Sequence, residues 1–254
     1  ASCQKDVQLN LIHTIECSPM PEAVAASCSF AYSGDIYIFG GRTNDGARTN
    51  RLWKYTPSTD QWTSLGETPI KARVSSSACV IDDKVYIGLG YAGYIHRDES
   101  YLRDFWAYNP SSQEWKRLAD FPANTTVKNC LFATDSAIYA VYGFYRQFTQ
   151  DVYRYDIAKD NWEKVNLRTT NHVPRAMDIV GVTCQNKHFL GTGFNHNSLR
   201  FWAEWDPYEQ QYISCQNILG AGRNAAACCA TKNYIYLAGG RHYGDTLTTG
   251  FFFS

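Results

Sequence analysis

Arginines recur in five short polar stretches of this 254-residue chain, four of which also hold an aromatic ring. The first holds Arg42, Asn44, Asp45 and Arg48, and the second Tyr91, Tyr94, His96, Arg97, Asp98 and Glu99. The third holds Phe144, Tyr145, Arg146 and Phe148, and the fourth Phe194, Asn195, His196, Asn197 and Arg200. The fifth holds Arg241, His242, Tyr243 and Asp245. Guanidinium forks chelate carboxylates, and rings stack on sugar faces. These residue types therefore suggest recognition of an anionic or sugar-like ligand. Four more cations precede small apolar segments. Arg73 and Arg223 stand eleven positions after Trp62 and Tyr212, and Lys128 and Arg175 stand thirteen after Trp115 and Trp162.

Sharper chemistries find less support. His96, His196 and His242 could hold a metal only if their stretches converge, which spacing does not show, so no metal and no other cofactor is expected. Asp98, Glu99, Asp104 and Asp245 are carboxylates of the same regions, but a lone loop acid is ordinarily solvated. There is no nucleophile elbow, phosphate-cradling loop or zinc spacing, and no catalytic residue can be named. Lys and Arg total 24 against 24 Asp and Glu. That balance gives no general electrostatic case for nucleic acid or an anionic membrane, and no apolar run has the length of a membrane-spanning helix.

The elements that must position these residues repeat. A strand ending in glycine occurs five times: "IYIFGG", "VYIGLG", "IYAVYG", "HFLGTG" and "IYLAGG". Their last glycines are Gly41, Gly90, Gly143, Gly193 and Gly240, at spacings of 49, 53, 50 and 47. A second column is Tyr55, Tyr108, Tyr155 and Trp205, and a third is Trp62, Trp115, Trp162 and Tyr212. Three columns at one period of about fifty indicate a repeat architecture. Each unit reads as four short strands, as in "SSACVI", "KVYIG", "DFWAY" and "WKRL" of the second copy. Four strands joined by turns make an antiparallel meander, the blade of a propeller. The first strands are rich in small residues ("AASCSF", "SSSACV", "IVGVTC", "AAACCA"), as crowding near a central axis requires.

This pattern resembles the kelch propeller family over essentially the whole chain, with the Gly-Gly doublet intact only at Gly40–Gly41 and Gly239–Gly240. Its style is also similar to kelch proteins of bacteria of the Bacteroidetes. The expected fold is an all-β kelch β-propeller of five four-stranded blades forming a single domain, residues 1–254. The blades run over 20–69, 70–122, 123–169, 170–219 and 220–254. The last lacks a fourth strand, which residues 8–19 would supply. Ile12, Ile15 and Pro19 match the spacing of Trp62, Leu65 and Pro69. Leu9–Ile15 would then pair beside Thr249–Phe253 and close the ring without a free edge.

In such a meander the loops between second and third strands share a face with the lead-ins to the first strands. The expected ligand site is therefore Arg42, Arg73, Tyr91, Tyr145, Arg146, Arg175, His196, Arg223, Arg241 and Tyr243. The resemblance also implies another reading, since an arginine leading into the first strand is common in kelch repeats, where it hydrogen-bonds neighbouring blades. Two function classes follow. One is a binding module for a small molecule, a glycan, an acidic metabolite or a partner protein. The other is an enzyme resembling the kelch-type sialic acid mutarotases, whose propellers have six blades. Cys28, Cys79, Cys130, Cys184, Cys228 and Cys229 read as small core residues, and Cys17 and Cys215 lie where they could pair. "ASCQKD" resembles the end of a bacterial lipoprotein signal, so export with a lipid anchor at Cys3 is expected, the only membrane contact foreseen. Cytoplasmic residence is the alternative that the buried thiols suggest.

Overall fold

The computed structural model describes residues 15–93, 97–123, 128–134, 136–141, 143–168, 173–214, 216–242, 245–246 and 250–253. Cys3, Leu9–Thr14, Tyr94, His96, Cys215, Tyr243 and Thr249 lie outside the described residues. The chain forms two compact units, His13–Asn129 with Lys159–Trp162, and Cys130–Ala158 with Glu163–Ser254.

The first unit holds two antiparallel meanders. The first sheet runs Cys28–Tyr32, Asp35–Phe39, Arg51–Thr56, Gln61–Glu67 in spatial order. The second runs Ser77–Ile81, Lys84–Gly88, Phe105–Asn109, Glu114–Leu118. Phe39, Leu52, Ile70, Val85, Ile87 and Tyr108 form the core of this unit. Full burial of such a side chain is worth about 1.5–3 kcal/mol. A short 3-10 turn, Asp98–Ser100, interrupts the long loop of the second sheet.

The second unit carries two more meanders. They are Cys130–Ala133, Ala137–Val141, Val152–Asp156, Asn161–Lys164 and then Val180–Cys184, Lys187–Gly191, Trp202–Asp206, Gln211–Ser214. Asn161 and Trp162 group with the first unit. A fifth sheet has three strands, Ala227–Ala230, Ile235–Ala238 and Gly250–Phe253. The first strands of the third, fourth and fifth sheets lie side by side. Space there is tight, since a Cβ on Gly181 would sit 2.5 Å from Cys130 Sγ. Cys28, Cys130 and Cys184 are buried, Cys79 and Cys228 partly so, and Cys229 is exposed. The expectation of a core role fails for Cys229, because strand alternation turns it away from its neighbour.

The sequence columns now have physical meanings. Tyr55 pairs with Trp62, Tyr108 with Trp115 and Trp205 with Tyr212 across the hairpin of third and fourth strands. Their ring centroids are 4.9, 4.2 and 4.9 Å apart. A seven-residue step is thus one cross-strand aromatic pair. The glycine column is explained by two lead-ins, which accept its N–H from the next sheet and crowd its Cα from its own. Gly41 N–H donates to Arg73 O at 2.9 Å, Gly143 N–H to Ala176 O at 2.9 Å and Gly193 N–H to Arg223 O at 2.8 Å. Gly90 has φ +84, and a Cβ there would lie 2.5 Å from Val74 O. The preceding position is also left-handed, and there Leu89 (φ 61) and Thr192 (φ 57) stand in place of glycine. A further column was not visible in residue types. Ala26, Ser75, Lys128, Asp178 and Ala225, with φ between 50 and 60, each initiate a first strand.

The predicted closing strand lies outside the described residues apart from Ile15, but the segment after it is anchored. Ser18 N–H and Oγ donate to the Asp60 carboxylate at 2.8 and 2.9 Å, and Trp62 Nε1 donates to Ser18 O at 2.9 Å. Ala119, just past the fourth strand of the second sheet, is held alike, by Asp160 Oδ1 at 2.7 Å and Trp162 Nε1 at 3.1 Å. This shared clamp aligns Cys17 with Leu118, two residues from the Ile15 that spacing suggested. A shift of two preserves the face of a strand.

Candidate functional site

The loop ends of the sheets are laced together by the lead-in segments. Ala176 N–H donates to Thr149 O at 3.0 Å, while Met177 and Phe194 exchange N–H···O bonds of 3.1 and 2.8 Å. Arg223 N–H donates to Leu199 O at 3.0 Å, and Asn224 and Arg241 exchange bonds of 3.1 and 2.9 Å. In the first unit Arg73 N–H donates to Thr49 O at 3.3 Å, and Val74 and Tyr91 exchange two bonds of 3.0 Å. Each lead-in dipeptide thereby fixes the loop of the sheet before it and the loop of its own sheet.

In the second unit this lacing supports three hairpins. Phe144–Tyr145 pairs with Gln147–Phe148 around Arg146, Phe194–Asn195 with Asn197–Ser198 around His196, and Arg241–His242 with Asp245–Thr246. Arg146 and His196 occupy the same tip position, both exposed at φ 57. Phe148 meets Phe144, Phe194 and His196 edge-on, with centroids 5.4, 5.9 and 5.2 Å apart. The Arg146 guanidinium lies 5.4 Å from the Tyr145 ring centroid, within cation–π reach. Arg175, one residue before Ala176, is exposed, as is Arg241 at the third hairpin. Neither forms an ion pair among the described residues. Asn224 Nδ2 donates to Ser198 Oγ at 2.9 Å and Arg241 O at 3.2 Å, holding the two hairpins in register. Reading charges and rings alone overlooks Asn224. The signal was a polar residue directly after Arg223 in "GRNA". His242 Nδ1 donates to Gly222 O at 2.8 Å. Among the described residues no three His, Cys, Asp or Glu side chains gather as a metal cluster.

In the first unit Arg42 is exposed beside a shallow cavity of about 330 Å³ lined also by Val24, Thr43, Asn44 and Gly46. Thr43 Oγ1 donates to Asp45 Oδ1 at 2.5 Å. That bond and the Ala47 N–H hold the Asp45 carboxyl below its ordinary range. Tyr91 is half-buried, with the Arg48 guanidinium 5.7 Å from its centroid and Arg48 Nη2 donating to Gly93 O at 2.6 Å.

Two expected ligand residues are struts. Arg73 has no exposed surface. Its Nε donates to Lys71 O at 2.8 Å, Nη1 to Leu89 O at 3.0 Å and Nη2 to Asp104 Oδ2 at 2.6 Å. Burial raises the Asp104 carboxyl, but the Arg73 bond and charge, with the Trp106 N–H, outweigh it and hold the group below its ordinary range. Arg223 is equally buried, and its Nη1 donates to Gly239 O at 2.8 Å. Arg175 and Lys128 are not their counterparts. Ala176 fills the arginine position in the fourth sheet, and Lys128 is the left-handed residue of the third. The structure thus places Tyr145, Arg146, Arg175, His196 and Arg241 at the loop ends of three sheets of the second unit. Arg42 and Tyr91 stand at the loop end of the first, and Arg73 and Arg223 lie inside the lattice.

A family model described as the KLHDC2/KLHL20/DRC7 Kelch-repeats domain matches residues 5–193. Kelch-like protein terF of Aspergillus terreus is 36% identical over 115 residues, 42% of this chain and 25% of that protein. N-acetylneuraminate epimerase 1 of Escherichia coli is 30% identical over 116 residues, 43% of this chain and 28% of that protein. Human Kelch-like protein 23 is 22% identical over 214 residues, 83% of this chain but 36% of that protein. The matched segments span about a third or less of these relatives. A solved structure described as "Structure of YjhT" has a TM-score of 0.77 at 15% identity, covering 92% of this chain and 82% of that chain. At that identity the likeness carries the fold.

Proposed function

This chain belongs to the kelch-repeat family and has its β-propeller fold, and on that premise we propose that it is a binding module whose loop end takes a carboxylated sugar or similar acidic metabolite. Kelch domains bind proteins or small ligands such as sugars, and propellers host unrelated activities, so the reading must come from the loops. One observation carries it: Arg175 and Arg241 are exposed without an acidic partner among the described residues, at the same loop end of the sheets as the Phe148, Phe194 and His196 rings. A carboxylate would take one or both guanidiniums, and the apolar face of a sugar would pack on a ring. Arg146 and Tyr145 at the hairpin tip extend that surface. Calorimetric titration of N-acetylneuraminate and glucuronate against their neutral counterparts tests the reading. The carboxylated ligands should bind, and Arg175→Ala or Arg241→Ala should weaken them by roughly tenfold to a hundredfold. Absence of saturable binding by any carboxylated ligand overturns it.

A second reading is favoured by the similarity to N-acetylneuraminate epimerase 1. Here the same surface would hold an acidic sugar while its ring opens or a centre inverts. Anomer exchange of freshly dissolved N-acetylneuraminate, followed by NMR with and without the protein, separates the two. Exchange no faster than in buffer leaves binding alone.

A further inference from the structure

The turns at the opposite ends of the strands enclose a cavity that the loop reading leaves unused. It lies between the third and fourth sheets, inside the second unit, and has a volume of about 510 Å³. That is within the roughly 300–1,000 Å³ of small-molecule sites. Three features describe its chemistry.

The charges of its walls are neutralised internally. Lys187 Nζ lies 3.0 Å from Glu204 Oε2, and Arg154 Nη1 lies 3.1 Å from Asp156 Oδ2. Asp206 Oδ1 accepts the backbone N–H groups of Tyr208 and Glu209 at 2.9 and 3.0 Å. The lining itself holds two cations, Arg154 and Lys187, and two carboxylates, Glu204 and Asp206, so it offers a ligand of one sign no net attraction.

Its lining includes a donor that has lost its acceptor. Trp205 lines the cavity, and its indole N–H is buried without a hydrogen-bond partner among the described residues. The repeat shows why. In the first sheet the same column is Tyr55, whose hydroxyl donates to Asp60 Oδ1 at 2.7 Å. In the fourth sheet Gln210 stands in the place of Asp60, and the indole is left unmatched. A buried unmatched N–H favours any ligand that brings an oxygen to it.

Its mouth carries an aromatic platform. Tyr208 lines the cavity and is 92% exposed, so its ring is open to solvent beside the cavity.

We propose that this cavity is a second ligand site, specific for a neutral saccharide. A sugar hydroxyl accepts the Trp205 indole N–H. The apolar face of the pyranose packs on Tyr208. The Lys187–Glu204 pair, one donor and one acceptor, brackets the remaining hydroxyls. The site is independent of the loop reading, because it lies at the other end of the strands.

The test is an NMR titration of the full chain with glucose, galactose, mannose, N-acetylglucosamine, cellobiose and lactose, watching the Trp205 indole N–H resonance. At least one sugar should move it saturably. Tyr208→Ala should weaken that sugar by about tenfold, and Trp205→Phe, which keeps a ring but removes the donor, by a similar factor. Arg175→Ala should leave it unchanged. Tyr208 is exposed, so its replacement keeps the test readable even where Trp205→Phe lowers stability. The proposal is overturned if no sugar moves the indole up to about 50 mM, or if Tyr208→Ala leaves the affinity unaltered.

Discussion

Replacing Arg73 with methionine separates a strut from a ligand residue. The side chain is fully buried, is ion-paired to Asp104 at 2.6 Å, and satisfies two backbone carbonyls at 2.8 and 3.0 Å. Methionine fills much of the volume but leaves Asp104 without its cation and both carbonyls without donors. Breaking one side of a buried pair costs about 3–5 kcal/mol. At about 2–4 °C per kcal/mol for a chain of this size, the melting temperature should fall by roughly 6–20 °C. The pair also fixes the sign of a pH effect. Folding holds the Asp104 carboxyl below its unfolded value. Its contribution is therefore fully present above the ordinary carboxylate pKa of about 3.9 and is lost as pH falls through the depressed folded value. Asp104→Asn should destabilise the chain at neutral pH and remove that part of the acid limb. Calorimetry or circular-dichroism melts of Arg73→Met, Asp104→Asn and the double variant between pH 3 and 7 read all of this. The double variant should lose less than the sum of the singles. A melt of Arg73→Met within about 2 °C of the parent would refute the strut assignment.

Arg223→Ala should likewise lower the melting temperature by several degrees, because its guanidinium is buried against Gly239 O. Gly90→Ala should cost at least about 2 kcal/mol in denaturant titration, since φ is +84 and the added Cβ would lie 2.5 Å from Val74 O. Leu89→Ala at the neighbouring left-handed position adds no Cβ and should show no comparable backbone strain. Deleting residues 1–16 should, if the N-terminal strand completes the last blade, destabilise the whole ring in one transition. A parental melting temperature for that truncation would argue against closure. Arg146→Ala, on an exposed tip, should leave the melt unchanged and weaken a carboxylated ligand by about tenfold.

The repeat was legible because its columns record backbone necessities. Gly41, Gly90, Gly193 and Gly240 sit where any Cβ meets the lead-in of their own sheet, and Tyr55–Trp62 or Tyr108–Trp115 are cross-strand pairs that spacing alone reveals. The loop end of the sheets was legible for the same reason, since a meander puts alternate connections at alternate ends. Depth was not. Spacing brings Arg73 and Arg223 to the right end of the strands but cannot say that their guanidiniums turn inward to carbonyls. Register failed where the linker changes length. The arginine position follows Trp62 by eleven residues, whereas Ala176 follows Trp162 by fourteen, so counting thirteen picked out Arg175, which is exposed. The cavity around Trp205 was also invisible, because an indole N–H left without a partner leaves no motif.

The central claim is that exposed arginines at the loop end of the second unit take a carboxylate. It is tested most directly by calorimetric titration of N-acetylneuraminate into the parent, Arg175→Ala and Arg241→Ala, at low and high salt. The account predicts saturable binding by the parent that weakens with salt and falls by at least about tenfold in each variant at an unchanged melting temperature. Equal affinity in all three proteins would contradict it.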